Sequence, residues 1–260
     1  MRASFFSCVV PVKGARQYLS EALESLSAQG IGDDLEIIIQ DGDLVPDIGL
    51  SDALNKGFSK AKGEWLFWLN TDDVLLPGAL KKVLNKINKI ERFDWIAGDT
   101  VYIDEKGIVK EVRTDAKWRC WFGKKLSVWT GGPSAFFRRS LWNRLGGFDT
   151  NLKYVMDIDL WTRWAKAGVE FVELNEYVWG FREHDSSLTG SGVNRSSQLS
   201  ELSCVDDRCG VSSVGFWRNV TRAASVFDGS WIKRKHDTAR FRGKHWGDVF
   251  DDDTSCSPWP

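Results

Sequence analysis

Asp72 and Asp73 stand side by side just beyond the apolar run Trp65-Leu-Phe-Trp-Leu69, separated from it by Asn70 and Thr71. Two neighbouring acids repel each other, and a divalent cation that prefers oxygen ligands relieves the repulsion most simply. Such a cation would in turn hold an anion. Neighbouring side chains on a strand point to opposite faces, so a division of labour is expected: one carboxylate accepts from a ribose hydroxyl while the other binds the metal, which neutralises a diphosphate. That neutralisation counts most if the diphosphate is a leaving group. An ordinary acid pair at a strand-to-turn junction is the alternative. Lys56 and Arg182 could steady phosphates or serve as surface cations. Cys204 and Cys209 could be half a zinc site, but a structural site needs four ligands and no second pair stands nearby, which argues against it.

The elements that must present these groups are legible in the hydrophobic pattern. Five large apolar residues in succession predict a strand buried on both faces, as in a parallel sheet flanked by helices, where ligands bind beyond the carboxyl ends of strands. Phe5 to Val10 and Leu35 to Ile39 read as two earlier strands. Tyr18, Leu19, Ala22, Leu23 and Leu26 recur at helical spacing up to Gly30. Ser51 is placed to cap a helix that turns Leu54, Phe58 and Ala61 inward, and Pro77 to start one bearing Leu80, Val83, Leu84 and Ile87. This β-α-β-α-β-α alternation predicts an α/β fold with a doubly wound, mostly parallel sheet flanked by helices. Asp41, Asp47 and the Asp72-Asp73 pair then gather along one edge.

The second half is less regular. Trp95 to Gly98, Thr100 to Ile103, Ala135 to Phe137 and Val169 to Val172 read as strands, Ser140 to Leu145 as a short helix, and Asp157 opens a helix carrying Leu160, Trp161, Trp164 and Ala165. From about Ser186 serine, glycine and charge dominate, marking a flexible loop and a helical or flexible C-terminal tail. In it an apolar stripe from Phe216 to Phe227 precedes a basic run from Lys233 to Lys244. Stripe and cations together would suit peripheral contact with an anionic membrane, and a helix packed on the main domain is the alternative.

Bulk properties narrow the classes. With 35 basic and 36 acidic residues in 260, net charge gives no reason to expect nucleic acid. Five scattered cysteines suit a reducing compartment, and no stretch approaches the roughly twenty apolar residues of a membrane span. A cytoplasmic protein, peripheral at the membrane if the tail binds it, is expected. Fourteen tryptophans exceed what such a core needs and could offer sugar rings flat faces, although packing accounts for most of them equally well.

Taken in order, Val9-Val-Pro-Val12, Glu36-Ile-Ile-Ile-Gln-Asp-Gly42, Asp52-Ala-Leu-Asn-Lys-Gly57, Ala61-Lys-Gly63, Leu69-Asn-Thr-Asp-Asp73, Phe136-Phe-Arg-Arg139, Gly146-Gly-Phe-Asp149 and Asp157-Ile-Asp-Leu-Trp161 resemble the family 2 glycosyltransferases over residues 4 to 190. The resemblance implies a GT-A fold and inverting transfer from a nucleoside-diphosphate sugar donor with Mn²⁺ or Mg²⁺. It implies that residues 1–190 form the catalytic domain, with a nucleotide-sugar half at 1–100 and an acceptor half at 101–190, followed by a loop and tail at 191–260. Carried over, Pro11 and Val12 would line the nucleotide site, Asp41 would hold the base with Asp47 nearby, Asp72 would meet the ribose and Asp73 the metal. Asp157 would be the catalytic base that deprotonates the acceptor hydroxyl, with helix N-capping as its structural alternative. Asp159, two residues on, faces elsewhere. His184 resembles a late histidine that completes the metal or diphosphate site, and a purely structural histidine is the alternative. The loop from Ser186 to Asn194 would close over the donor.

Two departures bear on the acceptor. Gly131-Gly-Pro-Ser134 stands where many relatives carry glutamine or histidine, and the Gln-X-X-Arg-Trp motif of processive synthases is missing. Single-sugar addition to a glycan, polysaccharide precursor or lipid-linked acceptor is therefore expected. Competing readings are a glycan-binding module built on the tryptophans, or a lapsed transferase, and a sugar nucleotidyltransferase, for which Pro11-Val-Lys-Gly-Ala-Arg16 is a poor phosphate loop.

Overall fold

The computed structural model describes residues 4–14, 16–90, 92–114, 130–185, 187, 194–209 and 229–250. Strand β1 (Phe6–Val12) is almost wholly buried because it lies at the centre of a layered unit. Helix α1 (Leu19–Ser27) leads to β2 (Leu35–Asp41), and α2 (Leu50–Lys60) leads to β3 (Trp65–Trp68), with both strands parallel to β1. This half is the parallel α/β unit that the alternation predicts. Ser51 does not cap α2. Gly49 holds the cap position, and the Ser51 hydroxyl donates to the Leu152 carbonyl at 2.8 Å, tying α2 to the later half.

Short strand β4 (Val74–Leu75) follows the acids, then α3 (Ala79–Lys89), β5 (Trp95–Ile103), β6 (Val109–Arg113), β7 (Ala135–Arg138), α4 (Arg139–Leu145), α5 (Met156–Lys166) and β8 (Phe171–Arg182). The sheet order is β2-β1-β3-β7-β5-β8-β4, with β6 beside β5. Parallel pairing is confined to β2-β1-β3 and β5-β8; β7, β4 and β6 pair antiparallel. The strands expected at 95–98 and 100–103 are one, with register shifts on either side of Asp99 where it meets β8. β8 runs through Asn175, whose φ of 61° is left-handed, which hides its length from a periodicity argument.

Residues expected to form a tail pack on this body. Helix α6 (Arg195–Cys209) places the Glu201 carboxylate on the backbone N–H groups of Lys153, Tyr154 and Val155, and Arg208 pairs with Asp149 at 2.8 Å. Helix α7 (Ser230–Phe241) buries Phe241 against Val101, Ile103, Val109 and Tyr177, and Asp237 accepts from the Tyr177 hydroxyl at 2.7 Å. The basic run thus begins on a docked helix; the stripe from Phe216 to Phe227 lies outside the described residues. Among the described residues no helix is long and apolar enough to cross a membrane.

The aromatic residues build the core that carries the later half. Trp161 of α5 stacks on Trp95 of β5 at 4.9 Å between ring centroids and on Trp68 of β3 at 6.2 Å. Offset stacks of this kind add to area burial and fix ring orientation. Among the described tryptophans only Trp231 is clearly exposed, at 39%, so most of the described ones are core rather than sugar platforms.

Candidate functional site

Gln29 explains why the chain after β3 turns where it does. Its buried amide donates to the Leu76 carbonyl at 3.1 Å and accepts from the Leu80 N–H at 3.1 Å, while the Ser25 hydroxyl accepts from the Leu75 N–H at 3.0 Å. Helix α1 therefore pins both β4 and the start of α3, and the segment Asn70 to Asp73 is held between fixed ends.

Within it the two acids face different surroundings. The Asp73 carboxylate is fully buried; one oxygen accepts from the Arg182 backbone N–H at 3.0 Å and the other from the Asn70 amide at 2.9 Å. Burial, and then the Asp72 charge, push its carboxyl well above the usual range. Asp72 is about a third exposed, and its carboxylate lies 3.0 Å from His184 Nε2. The sequence expectation gave the metal to Asp73 and the ribose to Asp72. It is Asp72 that meets His184, because the turn at Asn70 and Thr71 breaks the strand parity on which the division rested, and Asp73 is spent on the backbone of β8.

Arg182, expected at phosphates, is 1% exposed and turned inward. Its guanidinium donates to the carbonyls of Asp72 (2.9 Å), Asp104 (3.2 Å) and Glu105 (3.1 Å) and to the Glu21 carboxylate (2.6 Å), and lies 4.5 Å from the centre of the Tyr18 ring. The same ring is 5.6 Å from that of His184. Lys56 is also committed, to Asp52 at 2.7 Å and the Pro46 carbonyl at 2.8 Å. Arg182 is not available to a phosphate in this arrangement, and two of the three Lys56 N–H donors are taken.

At the end of β1 and β2 the expected nucleotide residues are partly brought together. Asp41 accepts from Arg16 at 2.8 Å, and that hydrogen bond holds its carboxyl below the ordinary value. Asp47 accepts from Lys13 at 3.0 Å and approaches Gly42 so closely that a Cβ there would lie 2.0 Å from its carboxylate. Pro11 is half-buried at the register of Gln40, whereas the Val12 side chain lies in the core and leaves only its backbone for a ligand.

Asp157 enters from the other side. Trp161, one helical turn on, anchors α5 on Trp68, the last residue of β3. Gly132 fills the remaining gap: a Cβ there would lie 2.2 Å from the Trp68 ring and 3.3 Å from an Asp157 carboxylate oxygen. Asn55 fixes the approach to α5 by a two-way bond with Phe148, at 2.9 Å in each direction. Burial pushes the Asp157 carboxyl up to about 6, against the backbone N–H groups of Ile158, Asp157 and Gly132. Asp159 is instead paired with Arg163 at 2.8 Å.

Arg16, Glu21, Tyr18, Asn70 and Gly132 were missed as site residues. Only Gly132 left a sequence signal, as the small residue in place of a bulkier relative.

One carboxylate and one imidazole, Asp72 and His184, suit Mn²⁺ better than Mg²⁺, which prefers oxygen ligands. Such ions take few protein ligands and complete their shell with water and substrate phosphates, and no group of three or more histidine, cysteine or acidic ligands occurs among the described residues.

Residues 45–145 match the model of glycosyl transferase family 2. An uncharacterized glycosyltransferase of Rickettsia typhi is 27% identical over 228 residues, covering 75% of this chain and 69% of the relative. A PGL/p-HBAD biosynthesis glycosyltransferase of Mycobacterium tuberculosis is 25% identical over 186 residues, covering 61% and 69%. S. aureus TarS 1-349, solved in complex with UDP-GlcNAc, superposes with a TM-score of 0.56 at 17% identity over 70% of this chain. The chain spans 59% of that structure and 37% of a longer TarS structure. The family match over residues 45–145, the relatives named glycosyltransferases and the architecture shared with TarS agree in likening this chain to the family 2 glycosyltransferases, on a GT-A-type fold.

Proposed function

We propose that this chain transfers a single sugar from a nucleoside-diphosphate sugar to a hydroxyl of a glycan, polysaccharide precursor or lipid-linked acceptor, with inversion at the anomeric carbon. The observation that carries the reading is the placement of Asp157. It is a carboxyl with pKa about 6, seated against the end of β3, the strand that leads through Asn70 to the Asp72–His184 pair.

Asp157 accepts the proton of the incoming hydroxyl; with its carboxyl raised to about 6 it is still mostly ionised near neutral pH and is a stronger base than an ordinary carboxylate. Asp72 and His184 hold a divalent cation, which when bound would neutralise the diphosphate as the glycosidic bond breaks. Asp41 and Asp47, ordered by Arg16 and Lys13, present acceptor oxygens to the nucleoside. A uridine diphosphate donor is the first to test, given the nucleotide sugar bound in the TarS structure.

The test is a panel of nucleoside-diphosphate sugars with Mn²⁺, scored for hydrolysis and for transfer. Turnover of at least one donor that Asp157→Asn abolishes while nucleotide binding persists supports the reading. Full transfer by Asp157→Asn would remove the base, and no nucleotide binding at millimolar concentration would remove the function.

A further inference from the structure

We infer that Trp246 and Glu21 are positioning residues for the Asp72–His184 pair, so that a segment far along the chain from the two acids sets the pair's metal affinity. The inference rests on the metal role proposed for that pair. Glu21 lies in the first turn of α1 and uses both carboxylate oxygens: one accepts from Arg182 at 2.6 Å, the other from the Trp246 indole N–H at 3.0 Å. Trp246 is itself fixed on the turn between β5 and β6. Its backbone N–H donates to the Gly107 carbonyl at 3.0 Å, and a Cβ at Gly107, where φ is 77°, would lie 2.9 Å from its ring.

Arg182 connects this anchor to the metal end. The guanidinium that receives Glu21 also holds the Asp72 carbonyl, and Arg182 is two residues before His184 in the chain. One buried cation therefore holds the Asp72 backbone and sits on the strand end that leads to His184, and Glu21 is the one carboxylate paired with it among the described residues. Glu21 is about a third exposed on its side chain, so without the indole one of its carboxylate oxygens is left to water and Arg182 alone orients the group. Residues that orient metal ligands in this indirect way change metal affinity by about ten- to a hundredfold when removed. No part of the relay touches the nucleoside end at Asp41 and Asp47.

The experiment measures Mn²⁺ affinity at saturating UDP, and UDP affinity with chelator present, by calorimetry on the full chain, for wild type, Trp246→Phe, Glu21→Ala and the double variant. Trp246→Phe keeps the ring and removes the N–H. The inference expects Mn²⁺ affinity to fall about tenfold in Trp246→Phe with metal-free UDP affinity unchanged, and to fall no further when Trp246→Phe is added to Glu21→Ala. Wild-type Mn²⁺ affinity in Trp246→Phe, or additive losses in the double variant, would overturn it. If Trp246→Phe does not fold, Glu21→Gln reports the same link, and wild-type Mn²⁺ affinity there is equally fatal. Wild type that binds UDP without any Mn²⁺ dependence defeats the metal reading itself, a result separable from the others.

Discussion

The end of the candidate site proposed to bind metal and the end proposed to supply the base hold a carboxylate each, by opposite means. Asp72 is presented at the surface by a buried ionic hub: Arg182 grips its carbonyl, Glu21 balances Arg182, and Asp73 holds the backbone of β8. Asp157 is wedged by shape, between the Trp68 ring and Gly132, on a helix anchored by stacked indoles. The groups that favour its charged form are backbone N–H groups, with no cation among them. The hub fixes geometry through charge at the expense of specificity in its partners. The wedge leaves the carboxylate poorly solvated and therefore basic. A metal ligand needs orientation; a proton acceptor needs a raised pKa.

That contrast can be broken at several points. The largest effect should come from Asp157→Asn, with transfer reduced about a thousandfold while UDP affinity stays within twofold, measured by initial rates and calorimetry. Because burial raises this carboxyl, the charged form is unfavourable in the folded state above pH 6, so the same variant should also unfold at slightly higher denaturant at pH 8 and show no such gain at pH 4. Next is Arg182→Ala, which leaves three carbonyls and Glu21 without their partner; a loss of about 3 kcal/mol in urea unfolding is expected. Asp72→Asn should weaken Mn²⁺-dependent UDP binding about tenfold with little change in stability, and Asp73→Asn the reverse. Should Asp73→Asn abolish Mn²⁺ dependence in a stably folded chain, the roles of the two acids drawn here are inverted.

Gly132→Ala sharpens the wedge. Its Cβ would collide with the Trp68 ring, and about 1–3 kcal/mol of overpacking should accompany a drop in transfer, without loss of Mn²⁺ affinity. The smallest effect is the pH profile: the acid limb of transfer should be half-maximal near pH 6, since Asp157 must be ionised to accept a proton. In Gly132→Ala that midpoint should move, whereas in Glu21→Gln it should stay.

Much of the parallel half was legible because its elements are long, apolar and closed by glycine or proline. The run Trp65 to Leu69 announced a central strand, and the helical spacing from Leu19 to Leu26 announced α1. What escaped were elements whose existence depends on distant partners. β4 is two residues long and exists because β8 reaches it, and β8 is twelve residues long despite a left-handed Asn175. The site followed the same rule. Asp157 stood out by its position on a helix that the spacing of Leu160, Trp161 and Trp164 predicts. The exchange of surroundings between Asp72 and Asp73 could not be read, since it depends on a turn and on an arginine 110 residues away in sequence. Arg182 was misread for a related reason: composition does not say whether a cation faces a ligand or its own backbone.

The hydrogen bond from Trp246 to Glu21 closes a loop of 225 residues. Contacts so distant along the chain form late, after local ones have paid their entropy. During synthesis, α1 and the parallel half leave the ribosome long before Trp246 exists to meet them. A nascent chain stopped short of residues 243–246 would already contain the tryptophan-rich core, yet lack the last clasp on the β5–β6 turn. Synthesis of residues 243–246 would then double as the step that brings the two halves into register.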